Sequence, residues 1–540
     1  LIPKVVGLWN GHDTSFAIFE DGIVKMHSEL ERHTRVKEDS GSALEFWKQY
    51  DSGWDDETII TSCWQPQAMR AALYPGHRIE LCGHHLAHAS HAYYSSPYEE
   101  ALIFTFDAGG FESEDPRSIT TCTISIGRGE KLDVIHTYPF DSVNIGGVWT
   151  RVTKYVFGYE SGWPQGHQAG TVMALAALGD PRRYKDLFIR LLSVDMPSTL
   201  FTPEGHVRGM SVKDPRRPKH PFLGQLEDLA NSSDIEKYDL AAGFQAATEL
   251  NIRLIMGHAF EQLGQFSNVC LAGGVCLNSL AMGKIREWFP FVKNVYMPPC
   301  PSDSGLTLGS VQHHLHNVLK IPRHDYGYCF PPYLGKEYSN SEIENSFIAR
   351  RDELDISKVT DSDVIELLAA GDIISIFNGR AESGRRALGN RSIVADPRDV
   401  GMKQKVNENV KHRQWFRPFA PSVLKEDVSI WFDEPQDSPY MGFVSKFSSR
   451  GLRELPAVLH RDGTGRLQTV TSDSNPWYYN FLRLWRDKSG TSVLLNTSFN
   501  DKSPIAETPQ HAIDCFLGTD IDALYFPQCN TLLKKLKDTK

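Results

Sequence analysis

His84 and His88 stand four apart in Gly83-His84-His85-Leu86-Ala87-His88, at the head of a stretch that reads as helix to Tyr94. At that spacing two imidazoles project from one helical face and can share a metal ion. HxxxH alone more often marks ordinary polar or core histidines, so the company of this pair decides the reading. Asp107 ends the apolar strand Ala101 to Phe106, and Asp303 lies in Pro301-Ser302-Asp303-Ser304-Gly305, just ahead of the helical Leu306 to Leu315. Either aspartate by itself fits a turn or a helix cap. Two imidazoles with two carboxylates make a mixed nitrogen and oxygen donor set, which suits Fe(II), Mn(II) or Zn(II) better than an all-oxygen cage for Mg(II) or Ca(II).

A second concentration of chemistry lies between Arg380 and Arg417. Seven arginines (380, 385, 386, 391, 398, 413, 417) and three lysines (403, 405, 411) face four acids (382, 396, 399, 408), a local balance of +6 in a chain whose net charge is -10. A charge run is usually a solvated face, but Gly384, Gly389, Asn390, Trp415, Phe416, Pro418 and Phe419 interleave this one. Partly buried guanidinium forks favour phosphate or carboxylate. Asn496-Thr497-Ser498-Phe499-Asn500 adds side-chain donors at the end of the strand Ser492 to Leu495, a frequent place for ligand contacts in α/β folds.

The elements that position these groups come in repeats. Val5 to Trp9, Thr14 to Phe19 and Ile23 to His27 read as three antiparallel strands around the polar turn Asn10 to Asp13. Ala101 to Phe106, Thr120 to Ile126 and Leu132 to Tyr138 repeat that layout around the turn Asp107-Ala108-Gly109-Gly110. Duplicated α/β halves follow, with both turns facing a cleft; Gly109 and Gly110 suit close approach by a metal and nucleotide phosphates. A helix from Leu240 to Gly264 precedes the strand Asn268 to Leu271, which ends in Ala272-Gly273-Gly274-Val275, where backbone N–H groups can meet a ligand. Periodicity lapses from Pro322 to Tyr338, which puts the domain boundary near residue 345 and yields domains 1–345 and 346–540. The second domain opens with the helix Asp361 to Ala370 and the strand Ile373 to Phe377 and closes with the helix Pro509 to Leu517; Lys534, Lys535, Lys537 and Lys540 read as a solvated tail.

At 540 residues with 41% hydrophobic content, the chain has material for more than one core. No apolar run reaches the roughly 20 residues that span a bilayer, and a cytoplasmic protein without membrane partners is expected. Nine cysteines without a CxxC pair argue against a disulfide framework and a zinc finger. The acidic balance argues against nucleic acid as a partner.

HHLAHA (84–89), FDAGG (106–110), GTVMALAALGD (170–180), LAGGVCLN (271–278), SDSGLTLG (302–309), GRRALGNRSIVADPR (384–398), FRPFAPSVL (416–424) and LLNTSFN (494–500), in this order, resemble the NodU/CmcH family of carbamoyltransferases. The resemblance covers nearly the whole chain. It implies an α/β protein whose N-terminal domain is a duplicated ASKHA fold, TsaD-like with RNase H-like halves, followed by a YrdC-like α/β domain. It further implies O-carbamoyl transfer from carbamoyl phosphate through carbamoyl adenylate, with ATP and its Mg(II), to a hydroxyl of a small molecule. Carried over residue by residue, His84, His88, Asp107 and Asp303 are metal ligands, with Fe(II) the first choice, and Gly273, Gly274 and Asn278 line the nucleotide. Arg386, Lys411, Arg417, Asn496 and Ser498 hold carbamoyl phosphate, and Asn390, Arg391, Arg413 and Asn500 join them as cofactor-binding candidates.

His12, in the first polar turn, is the candidate general base, because an imidazole with a pKa near roughly 6.5 can accept an alcohol proton. A tRNA threonylcarbamoyl-type enzyme ranks second on these fold types, and a non-catalytic ATP-binding regulatory protein is the alternative outside enzymes. A monomer or homodimer is expected.

Overall fold

The structure, a computed structural model, describes residues 2–51, 57–65, 79–115, 117–140, 142–160, 168–192 and 221–536. It divides into two compact units, Leu1–Phe330 and Pro331–Lys540. The division falls earlier than residue 345 because the irregular segment after Phe330 is bonded into the second unit. Pro332 O accepts from Ser383 N at 2.6 Å, Gly335 N donates to Ala381 O at 3.0 Å, and Tyr333 bridges to Glu382.

In the first unit, β1 (Val5–Trp9), β2 (Ser15–Glu20), β3 (Ile23–Glu29), β4 (Ile59–Cys63) and β5 (Ile79–Cys82) form a sheet in the order β3-β2-β1-β4-β5. A second sheet holds β6 (Glu100–Phe111), β7 (Ile119–Arg128), β8 (Lys131–Pro139), β9 (Asn268–Ala272) and β10 (Asn294–Tyr296) in the order β8-β7-β6-β9-β10. In both, the first three strands of the chain form an antiparallel meander and the last two join its inner edge in parallel. β1 to β5 thus occupy the places of β6 to β10, and the repeat is topological as well as sequential. β1 and residues Ala101 to Phe106 of β6 are buried throughout, as expected of strands covered on both faces.

Three helices of this unit matter here: α1 (His84–Tyr94), α2 (Asp234–Leu263) and α3 (Leu306–Gln312). Ser233 caps α2, its hydroxyl accepting from Glu236 N at 3.2 Å, with Asp234 and Glu236 in the first turn.

One expectation needs correction. Residues 107–110 are not a turn: β6 runs through them, with a register shift between Phe106 and Gly110. Gly109, at φ +140°, takes up the irregularity in a conformation that other residues rarely adopt, so the strand bulges instead of reversing.

The strands of the second unit are β11 (Leu354–Lys358), β12 (Ile374–Phe377), β13 (Arg391–Ala395), β14 (Ala420–Leu424), β15 (Phe443–Lys446), β16 (Thr464–Val470), β17 (Val493–Ser498), β18 (Ala523–Phe526) and β19 (Thr531–Lys535). Among the described residues they make one mixed sheet, ordered β11-β19-β18-β12-β13-β17-β14-β16-β15. Alternate residues enter separate cores: Val493 and Leu495 pack with Ile393 and Phe377, whereas Leu494 packs with Val394, Ile374 and Ile376. Helices α4 (Asp361–Ala369) and α5 (Pro476–Ser489) cover the second of these faces through Val364, Leu368, Tyr478 and Trp485. Helix α6 (Pro509–Leu517) covers the first through Ala512 and Phe516. Lys534 and Lys535 are not a solvated tail; they pair with Asp355 and Leu354 in the last strand, while Lys537 and Lys540 lie outside the described residues.

Candidate metal centre and anion cluster

Helix α1 starts directly after Gly83, and its N-terminus is held by Glu112 at the end of β6. Glu112 Oε1 accepts from His85 N at 2.8 Å, and a Cβ on residue 83 would fall 2.1 Å from the other carboxyl oxygen. Burial pushes the Glu112 carboxyl above its ordinary pKa. The helix then turns His84 and His88 to one side, their ring centroids 4.8 Å apart. His85 faces away, with Nδ1 2.6 Å from Thr105 Oγ1 and Nε2 2.8 Å from Thr120 O, and is a core histidine.

The structure brings His84, His88, Asp107 and Asp303 together. Asp107 Oδ2 lies 3.3 Å from His84 Nε2 and 3.0 Å from His88 Nε2; Asp303 Oδ1 lies 3.7 Å and 3.5 Å from the same two nitrogens. One donor atom from each of the four residues lies within 4.8 Å of the others; His84, His88 and Asp303 are buried and the Asp107 side chain is 12% exposed. Two nitrogens and two oxygens so grouped fit a tetrahedral or open transition-metal site. The bulge in β6 makes room for it: a Cβ on Gly110 would fall 2.0 Å from His84 Cγ, and one on Gly274 would fall 3.2 Å from Asp107 Oδ1. Gly273, at φ +96°, lies so close to β6 that a Cβ would meet Phe106 O at 2.1 Å.

Electrostatics bind the group together. Burial opposes charge at His88, but hydrogen bonds with Asp107 and Asp303 outweigh it and push the ring up to about 9. Against the same burial, His84 and His88 hold Asp107 well below the usual carboxylate range.

His12 joins this cluster through the other oxygen of Asp303, with Nε2 to Oδ2 at 3.4 Å and Nδ1 to Asp13 Oδ2 at 3.1 Å. Desolvation works against its charge, yet Asp303 and then Asp13 push it up to about 10. The ordinary imidazole value assumed for a base is therefore shifted upward by these two carboxylates, although the His12 side chain is 46% exposed. Asn278 pairs reciprocally with Gln245, Nδ2 to Oε1 at 2.9 Å and Oδ1 to Nε2 at 3.1 Å, and accepts from Ala281 N at the start of the next helix.

In the second unit the basic run separates into two kinds of residue. Arg398 pairs with Asp396 at 2.7 Å. Arg391 lies 3.5 Å over the Phe377 ring and donates to the carbonyls of Asn378, Gly379 and Asn390. Lys411 is buried and donates to Ser498 O at 2.6 Å and to Asn500 O and Oδ1, each at 2.7 Å, so Lys411, Ser498 and Asn500 form one knot. Asn390 donates to Arg380 O and accepts from Asn475 Nδ2. Asn496 Nδ2 reaches Ser422 Oγ, Gln468 Oε1 and Ala387 O, while its Oδ1 is buried without a partner.

Arg386, Arg413 and Arg417 act on one another by charge, Arg413 also donating to Asn407 Oδ1 at 2.7 Å and to Pro418 O at 3.3 Å, and the structure adds Arg466 from β16, which lies outside the basic run. Burial lowers all four, and like charges lower three of them further: Arg466, Arg385 and Arg417 act on Arg386, and Arg417 acts on Arg413. Arg466 is brought down to about 10 by burial and then by Arg413 and Arg417. Among the described residues no carboxylate pairs with Arg413, Arg417 or Arg466, and Arg466 Nε is buried without a partner. Glu382, also missed in the sequence, shapes the loop that carries Arg386. Its Oε1 accepts from Leu388 N and Asn390 N at 2.8 Å and from Arg391 N at 3.1 Å. The signal was there to read, since Glu382 is the one acid of the run before Asp396.

Residues 73–311 match the family model of the carbamoyltransferase N-terminus and residues 365–534 that of the carbamoyltransferase C-terminus. Nodulation protein NolNO of Sinorhizobium fredii is 34% identical over 83% of this chain, which spans 63% of that protein's length. Nodulation protein NolO of Bradyrhizobium diazoefficiens is 32% identical, with 82% of this chain and 77% of that protein covered. The 3'-hydroxymethylcephem-O-carbamoyltransferase of Streptomyces clavuligerus is 27% identical over 75% of this chain and 70% of its own. Among solved structures, full-length HypF in its phosphate- and nucleotide-bound form covers 58% of this chain and 56% of that one at 14% identity, with a TM-score of 0.34. The chain belongs to the carbamoyltransferase family, whose enzymes transfer carbamoyl groups. Among the described residues no helix is long and apolar enough to cross a membrane.

Proposed function

We propose that this chain is an ATP-dependent O-carbamoyltransferase that activates the carbamoyl group of carbamoyl phosphate as carbamoyl adenylate and delivers it to a hydroxyl of a small natural product. The observation that carries this reading is the grouping of Arg386, Arg413, Arg417 and Arg466, partly buried cations whose charges lower one another, with no carboxylate paired to the last three among the described residues. Such a group calls for a polyanionic ligand. In this reading the first unit is a duplicated ASKHA fold, TsaD-like with RNase H-like halves, and the second is YrdC-like. The matched strand order of the two five-stranded sheets supports the duplication.

Atoms balance in three steps. Water cleaves carbamoyl phosphate to carbamate and inorganic phosphate. A carbamate oxygen attacks the α-phosphorus of ATP, pyrophosphate leaves, and carbamoyl adenylate forms, with the guanidiniums and Mg(II) neutralising phosphate oxygens. The acceptor oxygen then attacks the carbamoyl carbon, the bond to AMP breaks, and the hydroxyl proton passes to His12. His84, His88, Asp107 and Asp303 hold a divalent ion, Fe(II) first and Mn(II) or Zn(II) otherwise. An ion held there would supply Lewis-acid charge to the transfer step.

The test is to incubate the protein with ATP, carbamoyl phosphate and Fe(II), with and without a panel of alcohol-bearing natural products. AMP and pyrophosphate that depend on carbamoyl phosphate are expected, with a mass gain of one carbamoyl group on one acceptor. Nucleotide binding without turnover under any of the three metals points instead to an ATP-binding regulatory protein. His12→Asn is expected to leave the single-turnover release of pyrophosphate that marks carbamoyl adenylate formation intact and to slow acceptor carbamoylation, with its release of AMP, by about 10²–10⁴-fold. Transfer at the wild-type rate removes His12 from that role.

A further inference from the structure

The four candidate metal ligands stand on α1, on β6 and in the turn after β10; the first sheet contributes none of them. Asp303 is the ligand on the least regular backbone, a short turn between β10 and α3. Its position is set one residue further on. Ser304 O accepts from Ser15 Oγ at 3.0 Å, from His27 Nε2 at 2.9 Å and from Thr307 Oγ1 at 3.0 Å, and all four residues are buried. A carbonyl oxygen only accepts, so His27 presents Nε2 as N–H. Thr307 belongs to α3 and moves with the turn, whereas Ser15 and His27 stand on β2 and β3 and do not.

The turn is closed on its other sides. A Cβ on Gly305 would fall 2.1 Å from Cys300 O, and Pro301 O accepts from Gly273 N at 2.7 Å. With those contacts in place, Ser15 and His27 tie the backbone next to Asp303 to β2 and β3.

We infer that Ser15 and His27 are positioning residues through which the first sheet places Asp303 and sets the affinity of the centre for a divalent metal. The inference rests on reading His84, His88, Asp107 and Asp303 as a metal site. Outer partners of this kind typically change metal affinity by about 10–100-fold when removed.

The experiment is a Co(II) titration of the full chain, read by the visible d–d spectrum and by metal content after dialysis. Ser15→Ala and His27→Leu are each expected to weaken Co(II) binding by about 10–100-fold and to shift the spectrum. His27→Gln, whose amide nitrogen reaches the same carbonyl, is expected to restore both. If His27→Leu does not fold, Ser15→Ala, which removes one oxygen atom, carries the test. Wild-type affinity and an unchanged spectrum in Ser15→Ala and in a folded His27→Leu overturn the inference. A wild-type protein that takes up no Co(II), Fe(II) or Zn(II) overturns the metal reading itself and the inference with it.

Discussion

Asp107→Ala is expected to lower the rate of acceptor carbamoylation, and of the AMP release that accompanies it, by about 10³-fold or more, while the single-turnover release of pyrophosphate that marks carbamoyl adenylate formation stays near the wild-type rate. Asp107 Oδ2 lies within hydrogen-bonding reach of both His84 Nε2 and His88 Nε2, so its loss removes one ligand and unties two others. A Lewis acid at the reacting carbonyl contributes several kcal/mol, and each ~1.4 kcal/mol is a factor of ten in rate. Two measurements separate the effects: metal content of the purified variant, and single-turnover transfer from preformed carbamoyl adenylate. Normal transfer by a metal-free variant would refute the role given to this centre.

Arg417→Gln is expected to reduce kcat/KM for carbamoyl phosphate by roughly 30- to 3,000-fold, because truncating one partner of a buried charge pair costs about 2–5 kcal/mol. Without ligand the same change should act in the opposite direction. Burial holds the Arg417 guanidinium below its ordinary pKa, and its charge also lowers Arg386, Arg413 and Arg466. A basic group whose pKa is lower folded than unfolded weakens the fold wherever it is charged, which here includes neutral pH. Removing it should stabilise the unliganded protein by on the order of 1 kcal/mol, or roughly 2–4 °C in Tm for a unit of this size. Thermal melts with and without carbamoyl phosphate check both signs, since the ligand should raise the Tm of the wild type far more than that of the variant. Equal ligand-induced shifts would remove Arg417 from the anion site.

Much of this was legible because local rules act over few residues. The four-residue spacing of His84 and His88 fixes their common face once the segment is helical, and alternating or continuous apolar runs located β1, β2 and β12 to within a residue and the start of β17 as closely, though β17 runs three residues past the expected end at Leu495. Asp107-Ala108-Gly109-Gly110 misled because a glycine pair signals a turn and a bulge alike; what decides is the strand on the other side, which composition does not show. The basic run identified a charged region but not its members. Arg391 and Lys411 hold backbone, and Arg466 comes from a strand nearly fifty positions later, a proximity that exists only once β14 and β16 pair. Glu382 stood out as the one acid of the run before Asp396, but its role did not, since its three partners are backbone amides, which every sequence possesses.

The course of β6 through Asp107 has a thermodynamic consequence. A ligand rooted in a sheet is positioned when the chain folds, not when the ion arrives, and here Glu112 and Ser304 anchor the other ligand segments in advance. In small zinc domains, by contrast, chelation dissolves the fold because the ion organises it. If the proposed centre holds a metal, stripping it should leave the circular dichroism and the melting cooperativity nearly unchanged, the apoprotein being a finished receptor for ions.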